Sequence, residues 1–241
     1  MNDDKSTVQD RQWARVVWAV RAWLARGLPL VAQREEVLHL TGARPTVERL
    51  HWEPEDATGE TWQRLAWLAI GWDPEAWRGH AWCSAWAALC DNQATGGPGL
   101  DYSHSCASSV TRRMGRGPAG RMPGVPGDKR ATWDTTAEGD IVSVMWTNNG
   151  QAQGRHVGIV AKMGRSGICL VSGNGSGRLA TGRPAHGNVV ATFYDWGAVC
   201  HVLTPTDDVY RGPVRVPSGP KEVADWTARF DAVAGPLGVL P

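Results

Sequence analysis

The order of two hydrophobic patterns constrains the fold of this chain most. Before residue 92, apolar side chains recur at helical spacing in several segments, whereas after Trp133 they fall in short β-rich runs separated by Gly and Asn. Successive short strands with short connections favour an antiparallel sheet, because parallel neighbours need long crossovers. The sequence therefore predicts an α+β fold, and 241 residues with 42% hydrophobic content are enough to enclose a core.

Helices are predicted on both sides of the strand region. We expect helices over residues 6–26, 30–40, 61–70, 83–92, 103–114 and 221–233, and strands over residues 140–146, 156–162, 168–172, 188–196 and 198–203. The Gly- and Pro-rich residues 115–127 are expected to form a loop.

Three regions follow from these elements. They are a helical N-terminal appendage over residues 1–72, a central α+β domain over residues 73–206, and a Pro-rich linker with a C-terminal helix over residues 207–241. The Trp-rich faces of the first helices could equally pack on the sheet.

Charge and hydropathy limit the partners. With 25 basic and 24 acidic residues the formal charge is +1, which favours neither nucleic acid nor an anionic membrane. The first residues resemble no signal peptide, and no stretch approaches the roughly 20 apolar residues of a membrane span. We expect a chain made in the cytoplasm, which needs another delivery route for any work outside the cell.

The five cysteines do not indicate a disulfide scaffold. Their number is odd and no CxxC spacing occurs. Cys83 and Cys90 lie roughly 10 Å apart along one predicted helix, too far for a disulfide. Cys169 and Cys200 fall in predicted strands, where they could pair or simply be packed.

The 14 tryptophans are the unusual feature of the composition, and several recur every fifth residue. A step of five cannot keep side chains on one face of a straight helix. We interpret the rings as core and helix-packing residues, with an exposed sugar or peptide platform as the alternative.

Three residues have the types and the order of a cysteine hydrolase site. Cys83 opens an apolar helix, where the helix dipole favours a thiolate and main-chain N–H groups can hold an oxyanion. His156 opens a predicted strand as candidate base, and its side chain is expected to face the helix end. Gly158 is expected to let the helix pack closely against the sheet. Asn174 follows the next strand and can orient the imidazole.

Other interpretations of these residues remain open. Cys83 could be a packed core residue, and Asn174 could be only a turn residue with positive φ. His80 and His104 are alternative bases. Asp140 is expected to cap the turn into the first strand, without a catalytic role, and the histidines lack the spacing of metal ligands.

Four motifs together carry a family resemblance. WCSAW (residues 82–86), GDIV (139–142), HVGIV (156–160) and GN (173–174) resemble the cysteine, histidine-dependent amidohydrolase/peptidase (CHAP) domains and their NlpC-type relatives of the papain-like superfamily. The resemblance covers roughly residues 75–204. It implies a papain-like core in which the helix that bears the nucleophile packs on an antiparallel sheet of about five strands. Ser172 departs from the pattern, since many relatives have Glu or Gln there.

The resemblance also implies an activity. It assigns Cys83 as nucleophile, His156 as base and Asn174 as the third residue of an enzyme that cleaves peptidoglycan amide bonds, as a stem-peptide endopeptidase or an N-acetylmuramoyl-L-alanine amidase. Trp82, Ser84 and Trp146 are expected to contact substrate, and no metal or cofactor is required.

The implied setting is a phage lysin, either a virion component that contacts tail or baseplate proteins or a free endolysin acting at the cell wall. The alternatives are an injected antibacterial amidase effector and a non-catalytic docking protein of a phage tail.

Overall fold

A computed structural model describes residues 8–24, 59–69, 72–95, 132–148, 151–203 and 220–241. Its helices are α1 (Val8–Leu24), α2 (Gly59–Ala69), α3 (Cys83–Thr95) and α4 (Pro220–Ala234). Its strands are β1 (Ile141–Asn148), β2 (Gln151–Gly164), β3 (Gly167–Arg178), β4 (Pro184–Asp195) and β5 (Val199–Leu203). The helices expected over residues 30–40 and 103–114 and the loop over 115–127 lie outside the described residues.

The strands form one five-stranded sheet in the order β4-β3-β2-β1-β5, and the four neighbouring pairs are antiparallel. Three of these pairs join strands that are consecutive in sequence. The fourth pairs β5 with β1. The expected α+β fold with an antiparallel sheet is confirmed.

The largest departures from the predicted strand bounds are in β2 and β3. β2 begins at Gln151, five residues before His156, and β3 continues to Arg178, six residues beyond residue 172. The polar and Gly-rich flanks of these strands are typical of turns, yet they form cross-strand pairs such as Trp146 with Gly154 and Gly177 with Ala185. His156 is therefore inside a strand and Asn174 is part of β3, so both predicted strand ends were wrong.

Each face of the sheet has its own apolar cluster. The helix-side cluster joins buried residues of all four helices to Val157, Ile159 and Val171 of the sheet. The far-side cluster is formed by sheet residues that point the other way: Val142, Val144, Val160, Ile168, Leu170 and Val199. Because side chains alternate along a strand, membership of a cluster shows which face a residue occupies.

A buried polar network attaches α1 to α3 and to the start of β1. Arg15 donates to Asp91 of α3 over 2.9 Å and to the carbonyl of Gly139 over 2.7 Å. Gln12 donates to Asp140 over 2.7 Å. Gly139 has a φ of 88°, and a Cβ there would collide with the main chain of Gln12, so glycine is required where the two segments meet.

Asp140 has the structural role expected of it. Its carboxylate also accepts from the Ala137 N–H over 2.8 Å and closes the turn that leads into β1. The GDIV motif thus positions α1 as well as starting the sheet.

The first two helices belong to the same core as the sheet. Trp18 and Trp23 of α1 and Trp62 and Trp67 of α2 are buried in the helix-side cluster. The division of the chain at residue 72 stays a prediction. None of the helices in the described segments is long and apolar enough to cross a membrane.

The five-residue spacing of tryptophans has a partial structural basis. Trp67, Trp72 and Trp77 pack against one another with ring centroids 4.3 to 5.6 Å apart. They meet because the chain leaves α2 and turns over residues 74–79, where Trp72 N–H donates to the Trp67 carbonyl. Trp67 is fully buried, and Trp72 and Trp77 pack partly buried against the helix-side cluster, as expected of core and helix-packing residues. Trp13 and Trp133 remain exposed.

Candidate functional site

Cys83 is the first residue of α3. The N–H of Trp86 donates to the carbonyl of Trp82 over 2.9 Å, so Trp82 occupies the position that precedes the first helical turn. The following Ser-Ala-Trp-Ala-Ala-Leu run favours a helix, because Ala and Leu lose little freedom there. The Cys83 side chain is a reduced thiol, 1% exposed, within the helix-side cluster.

The start of α3 rests directly on β3 at Gly173. A Cβ at Gly173 would overlap the ring of Trp82 and lie 2.6 Å from the Cβ of Trp86. Any side chain there would push the helix off the strand. This close approach places the start of α3, and with it Cys83, over the part of β3 that contains Asn174.

The close-packing role expected of Gly158 therefore belongs to Gly173, and that expectation was wrong. A Cβ at Gly158 would meet Leu170 and Ser172 of β3, each at 2.8 Å, on the far side of the sheet. The error arises because Gly158 was expected to face the helices, whereas it faces the far side of the sheet.

His156 lies on the face of the sheet opposite to Cys83. It pairs across β1 with Val144, which belongs to the far-side cluster, and directly opposed residues share a face. Its neighbour Val157 is in the helix-side cluster with Cys83. The expectation that His156 projects toward the helix end was wrong, because Val157 and Ile159 of β2 face the helices and side chains alternate along a strand.

Burial determines the charge state of His156. Its side chain is 6% exposed, and desolvation lowers the pKa of the imidazole from 6.5 to about 4. The ring is therefore neutral at pH 7, and its burial in this arrangement disfavours protonation.

Cys90 and Cys169 are poor nucleophiles. Burial, with a smaller contribution from the charge of Asp91, raises the pKa of Cys90 well above its usual value. Burial, with a smaller contribution from Asp231, raises the pKa of Cys169 to about 12.

Cys169 is a reduced thiol, and three strand spacings, roughly 14 Å, separate β3 from the β5 of Cys200. The possible Cys169–Cys200 pairing is excluded.

The pKa of the Tyr194 phenol is raised, and Cys83 is one of the causes. Burial raises the pKa of the Tyr194 phenol, a hydrogen bond with Thr192 lowers it, and the charge of an ionised Cys83 raises it further. Tyr194 packs against the far-side cluster.

Asn174 occupies a distorted part of β3. It is the non-glycine residue with positive φ, 56°, in the described segments, and it is half-buried. Pairing with β4 is irregular between Ser172 and Gly175. Asn tolerates the left-handed conformation, so the positive φ of the turn alternative is confirmed, although it occurs within a strand.

The residues expected to contact substrate are placed as follows. Trp82 and Ser84 are buried, at 2% and 0% exposure, so neither side chain is accessible in this arrangement. Trp146 lies in β1, and its side chain is outside the described part.

The alternative bases differ in placement. His80 is exposed just before α3, with its ring edge-on to Trp77 at 4.9 Å. His104 lies outside the described residues. The described segments hold no cluster of three or more His, Cys, Asp or Glu side chains suited to a metal ion.

No family model, curated protein or solved structure matches this chain.

Proposed function

We propose that the chain is a papain-like cysteine hydrolase that cleaves amide bonds in bacterial peptidoglycan. The observation that carries the proposal is the position of Cys83, the first residue of a helix whose start is pressed onto β3 beside Asn174. Helix starts favour a thiolate, and their first main-chain N–H groups have no acceptor within the helix. The order of the WCSAW, HVGIV and GN motifs supports the same conclusion.

The chemistry assigns one role to each residue. The Cys83 sulfur attacks the amide carbonyl while His156 takes the thiol proton, and N–H groups at the helix start hold the oxyanion. The C–N bond then breaks, and the imidazolium returns its proton to the leaving amine. Water, deprotonated by His156, cleaves the thioester and releases a carboxylate and the thiol. Asn174 orients the imidazole, and no metal or cofactor takes part.

This mechanism requires His156 to reach the helix side of the sheet. A shift of one residue in strand register turns every side chain to the other face. The pairing of β1 with β2 already shifts between Trp146 and Thr147, close to the Val144–His156 pair. We propose that the first half of β2 shifts at this irregularity when the enzyme becomes competent.

Digestion of purified sacculi tests the proposal. Wild-type protein is compared with Cys83→Ala and with Cys90→Ala, a matched control that removes another buried thiol of the same helix. We expect the wild type and the Cys90 variant to release the same fragments and the Cys83 variant to release none. Mass spectrometry of the fragments distinguishes a stem-peptide endopeptidase from an N-acetylmuramoyl-L-alanine amidase.

A second candidate function is a docking protein of a phage tail that retains this fold without catalysis. The placement of the Cys83 thiol and the His156 ring on opposite faces favours it. If the wild type releases no fragments, or if the Cys83 variant releases as much as the wild type, the hydrolase proposal is wrong and docking is preferred. Within the hydrolase proposal, a phage lysin and an injected effector share the same chemistry.

A further inference from the structure

The part of the β3–β4 hairpin that follows Asn174, residues 175–187, is a basic arm. It contains Arg178, Arg183 and His186 and no Asp or Glu. All three side chains are exposed. Because the whole chain has a formal charge of only +1, the positive charge of the basic arm is a local concentration.

The two arginines of the basic arm are not neutralised within the described segments. Arg64 and Lys162 each form an ion pair with a carboxylate there. Arg178 and Arg183 form none with the described residues. Nη1 of Arg178 donates to the carbonyl of Gly182 over 3.0 Å, which orients the guanidinium and leaves its other N–H groups able to bind an anion.

A further hydrogen-bond donor lies on the basic arm. The Ser176 hydroxyl oxygen and Nδ1 of His186 are 2.7 Å apart, and both side chains are exposed. If the hydroxyl donates to Nδ1, the neutral ring carries its proton at Nε2, and if Nδ1 donates, the hydroxyl proton is left over. In either tautomer the pair therefore offers one N–H or O–H to an outside acceptor.

Hydrogen bonds to the main chain hold the basic arm in place. The Leu179 N–H donates to the carbonyl of Arg183 over 2.9 Å, and the Gly182 N–H donates to the carbonyl of Leu179 over 2.8 Å. The indole of Trp23 donates to the carbonyl of Arg178 over 2.8 Å and ties the arm to α1. A fixed surface binds a partner at a lower entropic cost than a mobile one.

The basic arm continues directly from the candidate site. Arg178 lies four residues beyond Asn174 in β3, so at most roughly 13 Å of strand separates the two. An extended peptide rises by a similar distance per residue, so a substrate bound at the start of α3 reaches the arm within a few residues.

We propose that the basic arm binds the free carboxylates of peptidoglycan stem peptides, with Arg178 and Arg183 as the residues that hold them. The planar guanidinium matches a carboxylate through two parallel N–H bonds. The Ser176–His186 pair supplies a further donor to the same peptide. This inference rests on the proposed function, because that function supplies the polymer.

Co-sedimentation with purified sacculi tests the inference. The parent protein is Cys83→Ala, chosen so that the sacculi stay intact, and it is compared with the same protein carrying Arg178→Gln, Arg183→Gln or both. Arg165→Gln is the matched control, because Arg165 is an exposed arginine of the β2–β3 turn at the other end of β3. We expect each arm variant to weaken binding about fivefold, the upper end for an exposed ion pair, and the control to bind like the parent.

Chemical modification of the sacculi identifies the anion, since a guanidinium also binds phosphate. Amidation of the carboxylates is expected to weaken binding of the parent as much as the double substitution does, and to leave the double variant unchanged. Removal of phosphate polymers with hydrofluoric acid is expected to have no effect. Equal binding to native and amidated sacculi overturns the proposal. Loss of binding with the phosphate polymers, or a control as weak as the arm variants, also overturns it.

A second variant keeps the inference testable if Arg178→Gln, which removes a hydrogen bond of the turn, does not fold. Arg183 contributes its carbonyl to the turn, and Arg183→Glu leaves that carbonyl in place while it reverses the charge. It is expected to weaken binding more than Arg183→Gln. If the wild type digests sacculi while the arm variants bind like the parent, this inference alone fails. Arm-dependent binding without digestion by the wild type contradicts the hydrolase proposal alone.

Discussion

At the scale of single residues, burial decides what His156 contributes. The folded protein keeps this ring neutral because the pKa is lowered to about 4, whereas the unfolded chain titrates near 6.5. Between these values the unfolded state binds a proton that the folded state does not. The contribution of His156 to the free energy of unfolding is therefore fully present above pH 6.5 and is lost as the pH drops toward 4.

We predict a loss of about 3 kcal/mol of unfolding free energy from His156 across this interval, at roughly 1.4 kcal/mol per pKa unit. Urea unfolding at a series of pH values measures the slope. His156→Gln is expected to flatten it, and the same substitution at the exposed His186 is the control. An unchanged slope in His156→Gln would mean that the ring is not buried as described.

At the scale of elements, the existence of the four described helices and the five strands was predictable, whereas strand ends were not. The apolar spacing of α1 and the β-rich run of β1 reflect local burial, which a sequence carries directly. The extension of β3 through Gly173 and Asn174 depends on pairing with β4, which local propensity does not contain. The same limit explains the face assigned to His156, because the face of β2 that meets the helices is set by tertiary packing.

The contact between α3 and β3 yields a second prediction. Gly173→Ala is expected to lower the free energy of unfolding by about 1–3 kcal/mol, since overpacking forces the helix and strand apart. Gly164→Ala is the matched control, because its Cβ would lie 3.1 Å from the side chain of Pro241 and 4.0 Å from the carbonyl oxygen of Gly167, with no nearer contact. Urea unfolding monitored by tryptophan fluorescence compares them. Equal stability of the two variants would contradict the described packing.

At the scale of the whole molecule, the buried ion pair between Arg15 and Asp91 couples the N-terminal helix to the helix of Cys83. Both side chains have no solvent exposure. The sequence did not predict this network, because an Arg on a helix is ordinarily a solvated residue. Its partners lie 76 and 124 positions away, and no local pattern connects them.

We predict that Arg15→Met destabilises the fold by about 3–5 kcal/mol, because it leaves the Asp91 carboxylate buried without this cation. The double variant Arg15→Met, Asp91→Leu is expected to recover most of the loss. A double-mutant cycle by urea unfolding measures the coupling. Additive effects of the two single substitutions would argue against a direct pair.

Trapping of the acyl-enzyme tests the central claim, that Cys83 is the nucleophile. Wild-type protein is mixed with solubilised peptidoglycan fragments, quenched in acid and analysed by peptide mass spectrometry. The account predicts a thioester adduct on the peptide that contains Cys83, unchanged in Cys90→Ala and missing in Cys83→Ala. Turnover without an adduct at Cys83, or with an adduct on another cysteine, would contradict it.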